Sequence, residues 1–286
     1  MRSLTSAAAR RGFGLLRRPV MIGEAKDLLE ESATLRDILA ATDEVWFDAP
    51  TQFKAWTIND VLRHLHVWNV AAACSARDEP AFTALIARRT KAESLRAFEK
   101  GVVGDLRGAA LLALWWHGVE DVATLFRGLD PKRRLNWVGP SMSARSSVVA
   151  RQMETWAHGQ EVWDLLGVER VAHDRLRNIA HLGVATFAWS YNVRGRQVPE
   201  RAPHLKLWAP SGVLWTWNEP SDRECISGDA EAFCQVVTQT RHVLDTSLRA
   251  VGPIAHEWMS IAQCFAGAAH APPAPGTRFR GDRTVV

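Results

Sequence analysis

Apolar residues recur at helical spacing through the first two-thirds of the chain. Four long stretches are predicted to be helices on this basis: residues 23–42, 57–76, 108–128 and 143–166. Thr57 and Asp60 stand three positions apart at the start of the second stretch, an arrangement that resembles a capping box. Gly128 and Gly167 follow the third and fourth stretches, where glycine commonly ends a helix. Four such helices with moderate connections predict an antiparallel four-helix bundle.

The pattern changes after about residue 170. Residues 174–192, 229–243 and 253–266 are predicted helices, while "HLKLWAP" and "GVLWTWN" flank a Pro-Ser-Gly turn and predict a β-hairpin. The fold class is therefore mostly α, a four-helix bundle followed by a smaller α+β domain. The predicted divisions are a basic, disordered extension (1–20), the bundle (21–170), the α+β domain (171–270) and a disordered tail (271–286).

Composition places this chain among globular proteins, and charge argues against nucleic acid as a partner. Hydrophobic residues make up 47% of 286 residues, and the formal net charge is +4. Five arginines lie in residues 1–20, so the excess of basic residues belongs to the chain ends and the body is slightly acidic. Residues 1–20 are expected to be an over-extended start or a disordered tail, with a targeting segment as the alternative. The longest apolar run, residues 108–116, is too short to span a membrane.

The four cysteines, at positions 74, 225, 234 and 264, lie far apart in the sequence. They include no C-x-x-C pair, which argues against a zinc ribbon or a dithiol redox motif. We expect them to be reduced thiols in a cytoplasmic protein. The oligomeric state has no signal in the sequence.

Three acid–histidine pairs have the i, i+4 spacing that places both side chains on one helix face: Asp60/His64, Glu154/His158 and Glu169/His173. Each pair taken alone is also typical of a helix surface or a cap. Glu154 and His158 differ because they stand in the middle of a long predicted helix, among apolar residues. His64 also stands in mid-helix, and inward-pointing histidines on two bundle helices would form a core site.

Two of these helices resemble the signatures of a known family. "AWTINDVLRHL" is similar to the second-helix signature of the DinB-like metal-binding bundles, and "ARQMETWAHGQEVWDLLG" is similar to their fourth-helix signature. Among these bundles, the chain most resembles the family of the mycothiol-dependent maleylpyruvate isomerase N-terminal domain. Residues 228–267 resemble the C-terminal region of an uncharacterised, largely actinobacterial subfamily. The resemblance covers roughly residues 22–270.

The resemblance implies a divalent metal held by His64, Glu154 and His158. Two imidazoles and one carboxylate with an open position suit catalytic zinc first, and also nickel or ferrous iron. Glu161 stands where many family members have aspartate, so its role is open. His66 points about 200° away from His64 around the helix and is not expected to be a ligand.

The family relationship further implies a low-molecular-weight thiol and a small-molecule substrate. The expected function is a divalent-metal-binding, thiol-dependent isomerase or S-transferase; the alternative is a non-catalytic protein that binds a metal or a small ligand. Arg241 is a candidate contact for an anionic substrate. The sequence holds no G-x-S-x-G motif, P-loop or glycine-rich nucleotide loop that would indicate another enzyme class.

Overall fold

The computed structural model describes residues 22–281, and most of its regular structure is helical. The helices are α1 (Glu24–Ala40), α2 (Ile58–Arg77), α3 (Glu79–Lys91), α4 (Leu95–Val103), α5 (Gly108–Arg127), α6 (Ala144–Leu166), α7 (Leu176–Ala185), α8 (Phe187–Asn192), α9 (Ala230–Val237) and α10 (Pro253–Ile261). The strands are β1 (Arg134–Leu135), β2 (Met142–Ser143), β3 (His204–Trp208), β4 (Leu214–Trp217), β5 (Cys225–Asp229) and β6 (Arg249–Val251).

Helices α1, α2, α5 and α6 form a four-helix bundle, in which α1 and α2 each pack against both α5 and α6. Leu35, Leu65, Trp115 and Trp163 meet in its core. The capping box that begins α2 is present: Thr57 Oγ1 accepts from the Asp60 backbone N–H, and the Asp60 carboxylate accepts from the backbone N–H of Thr57. The predicted four-helix bundle and the mostly α fold class are confirmed.

A four-stranded mixed sheet with strand order β4-β3-β5-β6 forms the smaller α+β part. The predicted hairpin is β3 and β4, paired antiparallel with Leu207 opposite Trp215, while β5 runs parallel to β3. Helix α9 packs on this sheet and against α7. These two helices pack tightly at Gly183, where an added Cβ would lie 2.9 Å from a Val237 methyl carbon.

Helix α6 joins the two parts because it contributes to both cores. Met153 and Trp156 pack with the residues of the sheet and its helices, whereas Val162 and Trp163 pack in the bundle. Sixteen of the 23 residues of α6 are buried, including polar ones. A polar side chain on this helix is therefore enclosed by protein, and it needs a partner to offset its loss of hydration.

The structure describes the C-terminal segment as far as residue 281, but it does not describe the N-terminal extension. The predicted basic extension, residues 1–20, lies outside the described residues. The sequence predicts a loose tail from residue 271. Residues 271–281 have no helix or strand, but they lie along the bundle. The Gly281 N–H donates to the Asp164 carbonyl and the Phe279 N–H donates to Gln52 Oε1, both at 2.8 Å. Backbone hydrogen bonds of this kind hold a segment that has no apolar pattern of its own.

Two predicted helices are each interrupted. The charged run at residues 86–100, whose composition predicts a solvated helix face, is divided between α3 and α4, with Ser94 capping α4. Residues 174–192 are divided between α7 and α8. The division of the chain at residue 170 stays a prediction.

Within residues 22–281, no helix combines the length and the apolar character needed to cross a membrane. The four cysteines carry free thiols.

Candidate metal centre

Three side chains from two bundle helices converge at the centre of the molecule. His64 comes from α2, and Glu154 and His158 come from successive turns of α6. One ligand atom from each of the three lies within 4.8 Å of the others. Helical spacing brings Glu154 beside His158, and the packing of α2 against α6 brings His64 to them across 90 residues of sequence.

The separations of these atoms fit a shared ion. Glu154 Oε2 lies 3.3 Å from His64 Nε2 and 3.4 Å from His158 Nε2. Two ligands that are each about 2.0–2.2 Å from one tetrahedral ion lie roughly 3.3–3.6 Å apart. The donor set of two imidazoles and one carboxylate also matches zinc, nickel or ferrous iron. The residues therefore fit the metal that the family resemblance implies.

Glu99 orients His64, and the sequence did not indicate it. Its Oε1 lies 2.7 Å from His64 Nδ1 and accepts from the indole N–H of Trp68 at 3.1 Å. A carboxylate acceptor at Nδ1 keeps a proton on that nitrogen, so Nε2 is the atom that would bind a metal, after losing the proton that it shares with Glu154 when no metal is present. Glu99 lies on α4, within the charged run that predicted a solvated face.

The three groups are electrostatically coupled. Burial of His64 opposes its protonation, but the hydrogen bonds to Glu154 and Glu99 outweigh burial and raise the pKa to about 9. Burial alone would raise the pKa of Glu154, yet the hydrogen bonds from His158 and His64 hold that pKa well below its usual range. Burial lowers the pKa of His158. Glu154 is therefore a carboxylate and His158 a neutral imidazole, the forms that bind a metal.

Aromatic rings enclose one side of the centre. The Trp56 ring stacks on the His158 ring with centroids 5.4 Å apart, and Phe53 meets the same imidazole edge-on at 5.3 Å. These contacts fix the orientation of His158 by packing.

A cavity of about 130 Å³ opens beside His158 and Glu154. It is also lined by Glu161 of α6 and by Arg278 of the C-terminal segment. Arg278 donates to Glu161 Oε1 at 3.1 Å, while burial, opposed by the Arg278 charge, raises the pKa of Glu161 to about 7. Glu161 thus lines the cavity one turn beyond His158. No pattern in the sequence predicts that Arg278 lies beside Glu161.

Arg241, predicted to contact an anionic substrate, lies elsewhere. Its guanidinium donates two hydrogen bonds to the Asp164 carboxylate, at 2.7 and 2.6 Å, and a third to the Thr240 carbonyl. Arg241 is buried and does not line the cavity beside His158. Through these hydrogen bonds, Arg241 ties the segment after α9 to the end of α6.

His66 points away from the candidate metal centre, as predicted. Its Nδ1 lies 3.1 Å from the position that a Cβ on Gly118 of α5 would occupy, so it packs between α2 and α5. Burial lowers the pKa of His66.

Comparison with known proteins places these observations in a family. The domain described as "Mycothiol maleylpyruvate isomerase N-terminal domain" matches residues 28–163, which include His64, Glu154 and His158. Two relatives in Mycobacterium tuberculosis are 37% identical over 245 residues: the uncharacterized proteins MT0041 (strain CDC 1551 / Oshkosh) and Rv0036c (strain ATCC 25618 / H37Rv). Each alignment covers 84% of this chain and 94% of the relative.

Two solved structures are also similar in outline. The crystal structures of the mycothiol-dependent maleylpyruvate isomerase and of a histidine-to-alanine mutant each align with a TM-score of 0.47 and 18% sequence identity. The alignments cover 75% of this chain and 88% of each solved chain.

The fold and the site define a helical-bundle protein with a histidine–carboxylate cluster in its core. The chain belongs to the mycothiol maleylpyruvate isomerase N-terminal domain family.

Proposed function

We propose that this protein is a divalent-metal-dependent enzyme that uses a low-molecular-weight thiol, as an isomerase or an S-transferase acting on a small molecule. The convergence of His64, Glu154 and His158 beside a cavity carries the proposal. Zinc is the first choice of metal, with nickel and iron as alternatives, and the family name makes mycothiol the first thiol to test.

The roles of the residues follow from their surroundings. His64, Glu154 and His158 would hold the ion, which when bound favours the thiolate form of a thiol near neutral pH. Glu99 orients His64 through Nδ1, and Trp56 and Phe53 hold His158 in place by packing. These contacts support a site whose side chains are positioned before any ligand arrives.

Arg278 and Glu161 line the side of the cavity next to His158. With a pKa raised to about 7, Glu161 can hold a proton at neutral pH at its Oε1 or Oε2. Oε2 is buried and has no hydrogen-bond partner among the described residues, which supports a role for Glu161 in exchanging a proton with a bound molecule.

Elemental analysis of purified protein tests the metal site directly. We expect about one equivalent of zinc, nickel or iron in the wild type and none in His158→Ala, because His158 supplies one of only three protein ligands. His117→Ala removes an exposed histidine of α5 and should retain the metal. If the wild type holds no metal after reconstitution, the alternative of a non-catalytic small-ligand-binding protein takes precedence. If it holds metal, unsaturated acids are then assayed with mycothiol for turnover.

Replacing Glu99 tests the proposed orientation of His64. We expect Glu99→Gln to weaken zinc binding by about tenfold to a hundredfold, because an amide is a weaker acceptor for the Nδ1 proton and can present its NH₂ group instead. Glu93→Gln is the matched control on the exposed turn before α4. Competition with a chromophoric zinc chelator measures both. Equal zinc affinity in Glu99→Gln and the wild type would show that Glu99 does not position the ligand.

A further inference from the structure

A buried arginine on α6, Arg151, lies near one carboxylate, that of Glu154, without a hydrogen bond to it. Arg151 is 3% exposed, and its Nε and Nη1 atoms have no hydrogen-bond partner in the described part of the chain. Nη2 lies 3.9 Å from Glu154 Oε1, beyond hydrogen-bond distance. A guanidinium has five N–H donors, and leaving them unpaired away from water is costly. The arrangement indicates a site that an acceptor from outside the chain completes.

Arg151 borders a cavity whose lining is mostly apolar. The cavity measures about 300 Å³. Its apolar lining includes Trp137, Met142, Leu182, Trp189 and Phe265. The Trp137 ring lies over the guanidinium, 5.6 Å from its carbon, so the ring covers a face of the group. An aromatic and aliphatic wall with one cationic group is typical of a pocket for an amphipathic anion.

This cavity reaches the candidate metal centre through Glu154. Glu154 lines both the apolar cavity and the cavity beside His158. A neighbouring cavity of about 520 Å³ shares Arg151 and Glu154 and extends to His64. A molecule held at Arg151 would therefore lie next to Glu154, one of the three proposed ligands, and near His64.

We infer that the apolar cavity binds a substrate with an apolar body and one carboxylate group, and that the carboxylate pairs with the Arg151 guanidinium. The inference deepens the proposed function and rests on it, since it names the substrate class of the same site. A guanidinium matches a carboxylate with two parallel hydrogen bonds, which a neutral amide cannot reproduce. Glu154 repels an anion placed here, and a metal held by Glu154 offsets that repulsion.

A pair of isosteric probes tests the inference. Calorimetric titration compares 3-phenylpropanoate with 3-phenylpropanamide, on protein loaded with zinc and on protein treated with a chelator. In the wild type the carboxylate is expected to bind about ten to a hundred times more tightly than the amide, since hydrogen bonds to charged groups differ from neutral ones by this order. Arg151→Met should reduce that ratio to below about threefold.

Two further variants serve as controls for this test. Arg145→Met removes a half-exposed arginine from the same helix, paired with Glu24, and should keep the full ratio. Arg151→Lys keeps the charge with a single donor group, and it should fall between the wild type and Arg151→Met. Arg151→Met is expected to stay folded, because it removes a buried charge whose Nε and Nη1 atoms make no hydrogen bond within the described residues.

The outcomes separate this inference from the proposed function. Equal binding of the two probes, or a ratio that survives in Arg151→Met, overturns the inference. The preference for the carboxylate probe over the amide could depend on zinc but not on Arg151. That result would mean that the carboxylate binds the metal, which overturns the inference and leaves the proposed function standing. A ratio that depends on Arg151 in a protein that retains no metal supports the carboxylate pocket, while the proposed metal-dependent function fails.

Discussion

Glu31→Gln is expected to lower the free energy of unfolding by about 3–5 kcal/mol at pH 7, because it leaves two buried arginines without their counter-ion. Glu31 of α1 is 3% exposed, and its two oxygens accept from Arg170 and Arg175, each at 2.6 Å. The Arg170 guanidinium also lies over Trp156 and Trp163 of α6, with ring centroids 4.9 and 4.8 Å away. The cluster therefore holds the segment between α6 and α7 against the bundle.

The same carboxylate predicts a pH dependence. Burial would raise the pKa of Glu31, but the charges of Arg170 and Arg175 outweigh it and lower the pKa below the ordinary value of 4.5. A carboxyl group with a lowered folded-state pKa contributes its full stability above the unfolded-state value. That contribution is lost as the pH falls from about 4.5 through the folded-state pKa. The wild type should lose stability in acid more steeply than Glu31→Gln.

Glu30→Gln is the matched control for this prediction. Glu30 is the neighbouring residue, and its exposed ion pair with Lys26 should contribute less than about 1 kcal/mol. Urea unfolding of the three proteins between pH 3 and 7 measures both effects. A loss in Glu31→Gln no larger than that in Glu30→Gln would mean that the arginines find other partners or water.

Most of the bundle could be predicted because its signals are local. The Thr57–Asp60 capping box, the apolar spacing of α5 and the left-handed Gly167 that ends α6 each depend on a few neighbouring residues. The hairpin was predictable for the same reason. Strands β5 and β6 were not, because β5 contains Ser227 and Gly228 and β6 has only three residues; their pairing is a matter of tertiary contact.

The candidate site was predictable to a similar extent. Spacing along α6 joined Glu154 to His158, and the family resemblance added His64. The remaining residues come from parts of the chain whose local pattern indicates exposure: Glu99 from a charged run and Arg278 from a proline- and glycine-rich tail. Burial of such residues depends on what packs over them, which spacing does not encode. The ion pair of Arg241 with Asp164 was not predictable for the same reason, since the two residues are 77 positions apart.

The buried polar residues of α6 connect the fold to the candidate metal centre. Arg151, Glu154, Glu161 and Asp164 all project from this helix into protein, and both cores hold it in place. Asp164 and Glu161 have arginine partners from the second half of the chain, Arg241 and Arg278. Glu154 and Arg151 line cavities, and Glu161 also does so beside its arginine partner. Asp164, at the end of the helix, is thus structural, whereas Arg151, Glu154 and Glu161 are placed to support ligand binding.

Zinc is expected to raise the free energy of unfolding by about 4 kcal/mol when free zinc is 1,000 times its dissociation constant, because the unfolded chain has no preformed site. His64 and Glu154, 90 residues apart in sequence, come together only in the folded bundle. Chelation should reverse the gain. Chemical denaturation at fixed free zinc, with and without chelator, measures it.

The zinc-induced increase in the free energy of unfolding, compared between variants, shows whether the ion binds at the proposed centre. His158→Ala should lose most of it, while His117→Ala, which alters an exposed residue of α5, should keep it. The metal-free protein is expected to stay folded, because the bundle core around Leu35, Leu65 and Trp115 is complete without an ion. An equal gain in His158→Ala and the wild type would place zinc elsewhere on the chain and remove the basis for metal-dependent chemistry at α2 and α6.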